Sequence, residues 1–283
     1  MKIKVFFDKR MSVDSGGYSP SGSKPEKVVR DWMDLPISVR KFEPVSSGEL
    51  LRCHSRRLVE PILNYSQANG HGNCTKAVTD ATLWTCGSML AAAKYALKHK
   101  VACSPSSGFH HAGFDYCGAF CTFNGLMVTA LNLLNDDVGG PVGIVDCDAH
   151  FGDGTQDIID RMEHHGEVKH WTFGNHYCPK NYVHSQFLKT LSAELVKMHK
   201  DGVEIILYQA GADPHVNDPL GGTQTTEEMR QRDELVFGLC KQLGMAVAWN
   251  LAGGYQTDGQ GGIPVVLELH RNTMLEAIKA FGK

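Results

Sequence analysis

The segment Asp146-Cys-Asp-Ala-His-Phe-Gly-Asp-Gly154 sets two carboxylates and an imidazole at alternate positions. Residues two apart on an extended chain face the same way, so Asp146, Asp148 and His150 project together while Cys147 and Ala149 face the opposite side. With Asp213, from Ala210-Gly-Ala-Asp213, brought in from elsewhere, one imidazole nitrogen and two carboxylate oxygens make a three-ligand set. Such a set leaves room for water and substrate, as catalytic zinc requires. The same acids also suit helix caps or a structural Ca²⁺ or Mg²⁺. A calcium loop, however, uses mostly oxygen donors and a terminal Glu, whereas His with carboxylates favours a transition metal.

Ser107-Gly-Phe-His-His-Ala112 contributes a pair of imidazoles, His110 and His111, and two further acids, Asp146 and Asp153, are available to hold each ring in one tautomer. Adjacent histidines alone say little. A second pair, His164-His165, sits in a polar stretch that Gly166 ends, where histidines suit a helix C-terminus. Tyr255 follows Gly253 and Gly254, so its phenol sits on a turn able to present a donor to a developing oxyanion; a core tyrosine is the plainer reading.

Short β-branched runs must position these groups. Lys2 to Phe7, Val101 to Ser104, Val142 to Cys147, Val168 to Phe173, Val203 to Gln209 and Met245 to Leu251 read as strands, several apolar on both faces. Helical spacing separates them: Leu83, Cys86, Leu90, Ala93 and Leu97 mark one helix face, and others are expected around 122–135, 185–200, 225–243 and 264–281. Ser23-Lys-Pro-Glu26 reads as a capping box opening a further short helix. The alternation predicts an α/β chain in one domain with a parallel sheet, whose ligands sit beyond the carboxyl ends of the strands. His110 and His111, Asp146 to Asp153, Asp213 and Tyr255 all follow predicted strands.

The 283 residues are 42% apolar and 21% charged, which excludes disorder. A net charge of −3 gives no electrostatic support for binding nucleic acid or an anionic membrane, and no run reaches the roughly 18 apolar residues of a membrane span. The first residues enter a strand-like pattern with no apolar leader, and nine cysteines lack any C-x-x-C spacing; both suit a cytoplasmic protein with reduced thiols. No feature specifies an oligomeric state.

In order across 104–274, His-His-Ala, Ala-Phe-Cys-x-Phe-Asn, Asp-x-Asp-x-His-x-Gly-Asp-Gly, Gly-Ala-Asp-x-x-x-x-Asp-Pro-Leu-Gly and Gly-Gly-Tyr resemble the zinc-dependent histone deacetylase family and its bacterial histone deacetylase-like and acetylpolyamine amidohydrolase relatives. Ser23-Lys-Pro-Glu26 is a weaker echo of the family's His-Pro-Glu segment. The resemblance implies the arginase–deacetylase fold over 1–283, an α/β domain with about eight parallel strands and helices on both faces. It implies one Zn²⁺ per chain on Asp148, His150 and Asp213. His110 and His111 become the tandem acid–base pair, backed by Asp146 and Asp153, and Tyr255 the residue that polarises the carbonyl. Phe120 and Leu220 resemble tunnel walls, with Gly253 and Gly254 beside the substrate, and no residue near Tyr177 to Val183 matches the second aromatic wall. A structural K⁺ would draw on Asp146, Asp148 and His150. The implied reaction is hydrolysis of an N-acetyl amide, of an acetylated lysine peptide or an acetylated polyamine or other small amine, to acetate and free amine.

Two positions depart from the pattern. Ala119 stands where the family has Gly, which predicts a narrower space by the acetyl methyl, and Phe151 replaces a second His after His150, which predicts an aromatic group behind the metal site. A manganese ureohydrolase of the same fold would carry Asp where Gly152 stands, which favours one metal over two. A non-catalytic acyl-lysine binding module would have lost a reacting group, yet both histidines and Tyr255 are present. Asp14, Asp115 and Asp218 are open to a cationic ligand, although loop Asp usually caps a turn.

Overall fold

Stretches apolar on both sides become the strands of one parallel sheet, because helices cover both of its faces. In this computed structural model, which describes residues 2–136, 140–161 and 167–282, the strands are β1 (Ile3–Phe6), β2 (Ile37–Arg40), β3 (Val101–Cys103), β4 (Val142–Asp146), β5 (Val168–Thr172), β6 (Ile205–Gln209) and β7 (Ala246–Asn250). Their order is β2-β1-β3-β7-β6-β4-β5, all parallel. Seven strands among the described residues agree with the expected sheet of about eight. All six strands read from the sequence are present, each trimmed by a residue or two. β2 was missed because Ile37-Ser-Val-Arg40 buries fully only its first residue, as an edge strand can.

The helices are α1 (Lys24–Asp31), α2 (Ser47–Leu50), α3 (Arg56–Leu63), α4 (Lys76–His99), α5 (Gly125–Asn135), α6 (Asp153–Arg161), α7 (His184–Lys200), α8 (Thr226–Leu243) and α9 (Pro264–Phe281). Strand alternation sorts the core into two clusters. Ile144, Leu207 and Ala248 face α3, α4, α5 and α6, while Val145, Tyr208 and Trp249 face α1, α7, α8 and α9. Burying each such side chain contributes about 1.5–3 kcal/mol, so the sheet is a rigid platform whose strand ends are fixed in space.

The capping box expected at Ser23 does not form. α1 starts there, but Ser23 has helical dihedrals (φ −95°, ψ −12°) continuing from the tight turn Pro20–Gly22, and its hydroxyl is directed to Pro20 O at 3.4 Å. The Glu26 N–H is satisfied by Ser12 Oγ at 2.9 Å, and the Glu26 carboxylate pairs with Arg30. His164 and His165 lie outside the described residues.

His54, 1% exposed, joins α3's entry to the loop before α5: its Nδ1 lies 2.8 Å from Gly113 O, and the Asn124 N–H donates to Nε2 at 2.9 Å. A neutral ring makes both bonds, and burial pushes His54 down to about 4 against the pull of the Gly113 carbonyl. In the unfolded chain His54 takes a proton below its ordinary 6.5, whereas the folded chain resists to about 4. Stability is therefore intact above 6.5 and is lost as pH falls through that window. Between pH ~7.5 and ~5.5 this one ring should account for about 1 kcal/mol, and His54→Gln should remove that much of the pH dependence in urea unfolding. An unchanged dependence would contradict the assignment.

Candidate active site

The four central strands, β3, β7, β6 and β4, each end in a segment that carries site residues, and because the strands are neighbours these segments meet above one sheet edge. His110 and His111 come from the segment after β3, Asp146 to Asp153 from the end of β4, Asp213 from beyond β6, and Gly253 to Tyr255 from beyond β7. The alternation expected through His150 stops early. β4 ends at Asp146, Cys147 is buried in the core cluster on the side of α1, α7, α8 and α9, and the chain then bends. Side-chain bonds make the bend: the Asp148 N–H donates to Asp146 Oδ1 at 3.0 Å and the His150 N–H to Asp148 Oδ1 at 3.1 Å.

Asp148, His150 and Asp213 offer ligand atoms that all lie within 4.8 Å of one another, the one such cluster among the described residues. His150 Nδ1 lies 3.0 Å from Asp148 Oδ1 and 2.9 Å from Asp213 Oδ2. Backbone donors occupy the other carboxylate oxygens, Gly253 N–H on Asp148 Oδ2 at 2.8 Å and Ala149 N–H on Asp213 Oδ1 at 3.2 Å. The close approach of His150 Nδ1 to Asp213 Oδ2 lacks hydrogen-bond geometry, and that buried oxygen has no hydrogen-bond partner among the described residues. Burial would raise both carboxyls. His110 and His150 hold Asp148 well below the usual range, while burial and the Asp148 charge push Asp213 up. Two buried acids and an orphaned oxygen turned toward one imidazole nitrogen fit a cation at their centre, and the mixed N/O donor set suits a transition metal.

His110 is 2% exposed, and its Nδ1 lies 2.7 Å from Asp146 Oδ2, with Nε2 3.6 Å from Asp148 Oδ1. Burial alone would lower this ring, but Asp146 and Asp148 outweigh it and raise it to about 9. His111 Nδ1 meets Asp153 Oδ1 at 2.5 Å, and Asp153 opens α6. Burial, then the neighbouring His110 charge, hold His111 below its ordinary value. The two ring centroids are 4.0 Å apart, so one environment keeps a proton and the adjoining one gives it up.

Glycine is required at Gly253 and Gly254 for different reasons. A Cβ at Gly253 would lie 2.5 Å from Asp213 Cγ and 2.7 Å from Asp148 Oδ2, and Gly254 has φ +127°. They let the backbone touch the acidic cluster and then turn to deliver Tyr255, whose N–H donates to Asp218 Oδ2 at 2.7 Å. Asp218 also accepts the Leu220 N–H, and Asp14 accepts that of Gly16; Asp115 accepts from Ser55 and Arg57. The three loop acids are thus caps and pairs.

Phe120 packs 5.9 Å from the Tyr255 ring, 5.7 Å from Tyr18 and 5.8 Å from His71. Tyr18 and His71 had no signal in the sequence, since both lie on loops and neither is part of a motif. Leu220 is 40% exposed. Tyr177 and Tyr182 stack around Phe173 and Phe187, in an aromatic cluster of their own. The two departures, Ala119 and Phe151, both stand at exposed positions, which corrects the expectation for Phe151. At Ala119 the cost is conformational, since φ is +46°. Ala119→Gly should raise stability by about 1 kcal/mol, read as a shift in denaturant midpoint, because a Cβ opposes the left-handed region. Phe151 is likewise exposed and is not packed behind a ligand.

A family model described as Histone deacetylase domain matches residues 23–181 and 172–263, most of the chain. The chain belongs to the histone deacetylase family. Among its histone deacetylase-like relatives, an uncharacterised protein of Picosynechococcus sp. is 29% identical over 251 residues, 82% of this chain and 78% of that one. Acetylpolyamine amidohydrolase of Mycoplana ramosa is 29% identical over 149 residues, 43% of each chain, and acetylpolyamine amidohydrolase 2 of Pseudomonas aeruginosa is 47% identical over 55 residues, 19% of this chain and 16% of that one. The chain therefore aligns with less than half of either named amidohydrolase. The crystal structure of acetylpolyamine aminohydrolase from Burkholderia pseudomallei superposes with a TM-score of 0.80 at 15% identity, covering 98% of this chain and 99% of that one. The fold of this histone deacetylase family member is accordingly the arginase–deacetylase fold.

Proposed function

We propose that residues 1–283 work as one catalytic domain, a zinc-dependent deacetylase that cleaves the amide of an N-acetylated amine to acetate and free amine. The observation that supports this most is the meeting, above the central strands, of a three-ligand cluster with two carboxylate-backed imidazoles of opposite proton affinity and a tyrosine. Asp148, His150 and Asp213 would hold one Zn²⁺, and Asp146, Asp148 and His150 would also contribute to a structural K⁺. When bound, zinc supplies a Lewis acid that lowers the pKa of water and polarises an amide carbonyl.

The chain's own groups do the rest. A carboxylate only accepts, so His111 Nδ1 donates to Asp153 and leaves Nε2 free to take the proton of the attacking water. Held cationic by Asp146, His110 steadies the negative charge that builds on the carbonyl oxygen, and the Tyr255 hydroxyl donates to that oxygen. His111 then passes its proton to the departing nitrogen, which leaves as the amine. Phe120 and Leu220 would wall the entry, with Gly253 and Gly254 beside the acyl group. Free thiols at all nine cysteines support work in the reducing cytoplasm. No helix among the described residues is long and apolar enough to cross a membrane.

Acetylpolyamine amidohydrolases among the relatives favour an acetylated polyamine over an acetyl-lysine peptide. Acetate release from each by zinc-loaded protein, with a chelator control, tests both claims. Chelator-sensitive release with the polyamine preferred is the expected result. Preference for the peptide would overturn the substrate assignment, and no release from either, with zinc retained at one per chain, would leave the binding-module reading.

A further inference from the structure

Lys24 is 0% exposed at the first turn of α1, an unfavourable place for a cation because it adds to the positive end of the helix dipole. Burying an ammonium costs several kcal/mol unless its donors are taken up. They are taken up by the turn that carries Tyr255: Nζ donates to Gly253 O at 2.9 Å and to Ala252 O. That turn needs holding. Ala252 lies at φ +52°, a conformation an L residue resists, and Gly254 lies at φ +127°. Ala252 and Gly253 are both buried, so their carbonyls need donors from the protein. The Ala212 N–H also reaches Gly253 O, at 3.2 Å, and Lys24 is the side chain that donates to Ala252 O.

We propose that Lys24 is a positioning residue for the tyrosine turn, its buried ammonium holding residues 251–255 in the strained conformation that sets Tyr255 beside the acidic cluster. The neighbouring bonds leave this role open to Lys24. The Leu251 N–H is held by Ser106 O, the Gly253 N–H by Asp148 and the Tyr255 N–H by Asp218, so each N–H named is anchored from one side and Lys24 anchors the carbonyls from the other. Its charge also sits among the site's acids. Burial lowers Lys24 to about 8, and Asp213, Asp148 and Asp218 act against that loss. A neutral apolar side chain would take a donor from each carbonyl, leaving Gly253 O to the Ala212 N–H, and would remove a positive charge from behind three carboxylates.

The catalytic half of the inference rests on the deacetylase reading, and the structural half does not. On the metal-loaded 283-residue chain, Lys24→Met should lower kcat at least ~10-fold with KM and metal content little changed, because the loss falls on a group that acts in the transition state. Tyr255→Phe alone should lose ~10²-fold, and the double variant should be no slower than Tyr255→Phe, since a residue acting through Tyr255 has nothing further to lose. Amide hydrogen exchange should accelerate at 251–256 in Lys24→Met while β6 and β7 stay protected. Lys24→Gln keeps an N–H donor without the charge and should restore part of both signals; it also serves if Lys24→Met does not fold. Multiplying defects in the double variant, or exchange unchanged in the turn, would overturn the role. If wild-type protein releases no acetate, the deacetylase reading fails, and the exchange comparison still decides the positioning claim.

Discussion

Asp213→Asn is expected to cost the protein its metal and with it all but a trace of activity. The amide keeps the size and can still accept the Ala149 N–H, so the fold should survive while the charge facing His150 is gone. Replacing groups that merely hold metal ligands costs 10–100-fold in affinity or activity, so losing a ligand should exceed ~10²-fold in metal affinity. Metal content after dialysis, beside thermal unfolding with and without added Zn²⁺, reads the result. Wild type should gain stability with zinc, because a ligand that binds only the folded state raises its unfolding free energy, and Asp213→Asn should gain almost none. Full metal occupancy in the variant would remove Asp213 from the ligand set.

His111→Gln should lower kcat by ~10²–10⁴-fold with metal retained, the range a positioned general base contributes. The ring is the less buried member of the histidine pair, with Nδ1 committed to Asp153, so Gln can occupy the space without unfolding the site. The pH profile carries the same information. His111 must be neutral to accept a proton, and burial, then the charge of His110, depress it below its ordinary 6.5. Activity should therefore persist below 6.5 before its acid limb begins, and that limb should vanish from the residual rate of His111→Gln. Retained turnover in the variant would reassign the base. A protein that binds acetylated ligands but shows no turnover even as wild type would be a binding module.

The residues of the site were legible in the sequence because each chemical group follows a strand and the parallel-sheet rule sends such segments to one end of the fold. Six of the seven described strands declared themselves through short β-branched runs, several of them apolar on both faces, and the edge strand Ile37–Arg40 hid because an edge needs no such run. Ser23 misled for a related reason. Ser-x-x-Glu is a local signal, and the preceding turn had already placed Ser23 in helical dihedrals.

Long-range geometry stayed out of reach. Nothing local distinguishes Lys24 from a surface lysine, or Tyr18 and His71 from loop residues, because their partners lie far along the chain: Gly253 for Lys24, and Phe120 for the two rings. Likewise Ala119 gave no sign that it points outward, since its cost is a backbone angle set by the surrounding loop. The sequence by itself determined the strand alternation, the ligand types and the imidazole–carboxylate pairs. The tertiary structure alone decided which buried charge faces which carbonyl, because burial removes water as a competitor and makes a partner more than two hundred residues away the donor that counts.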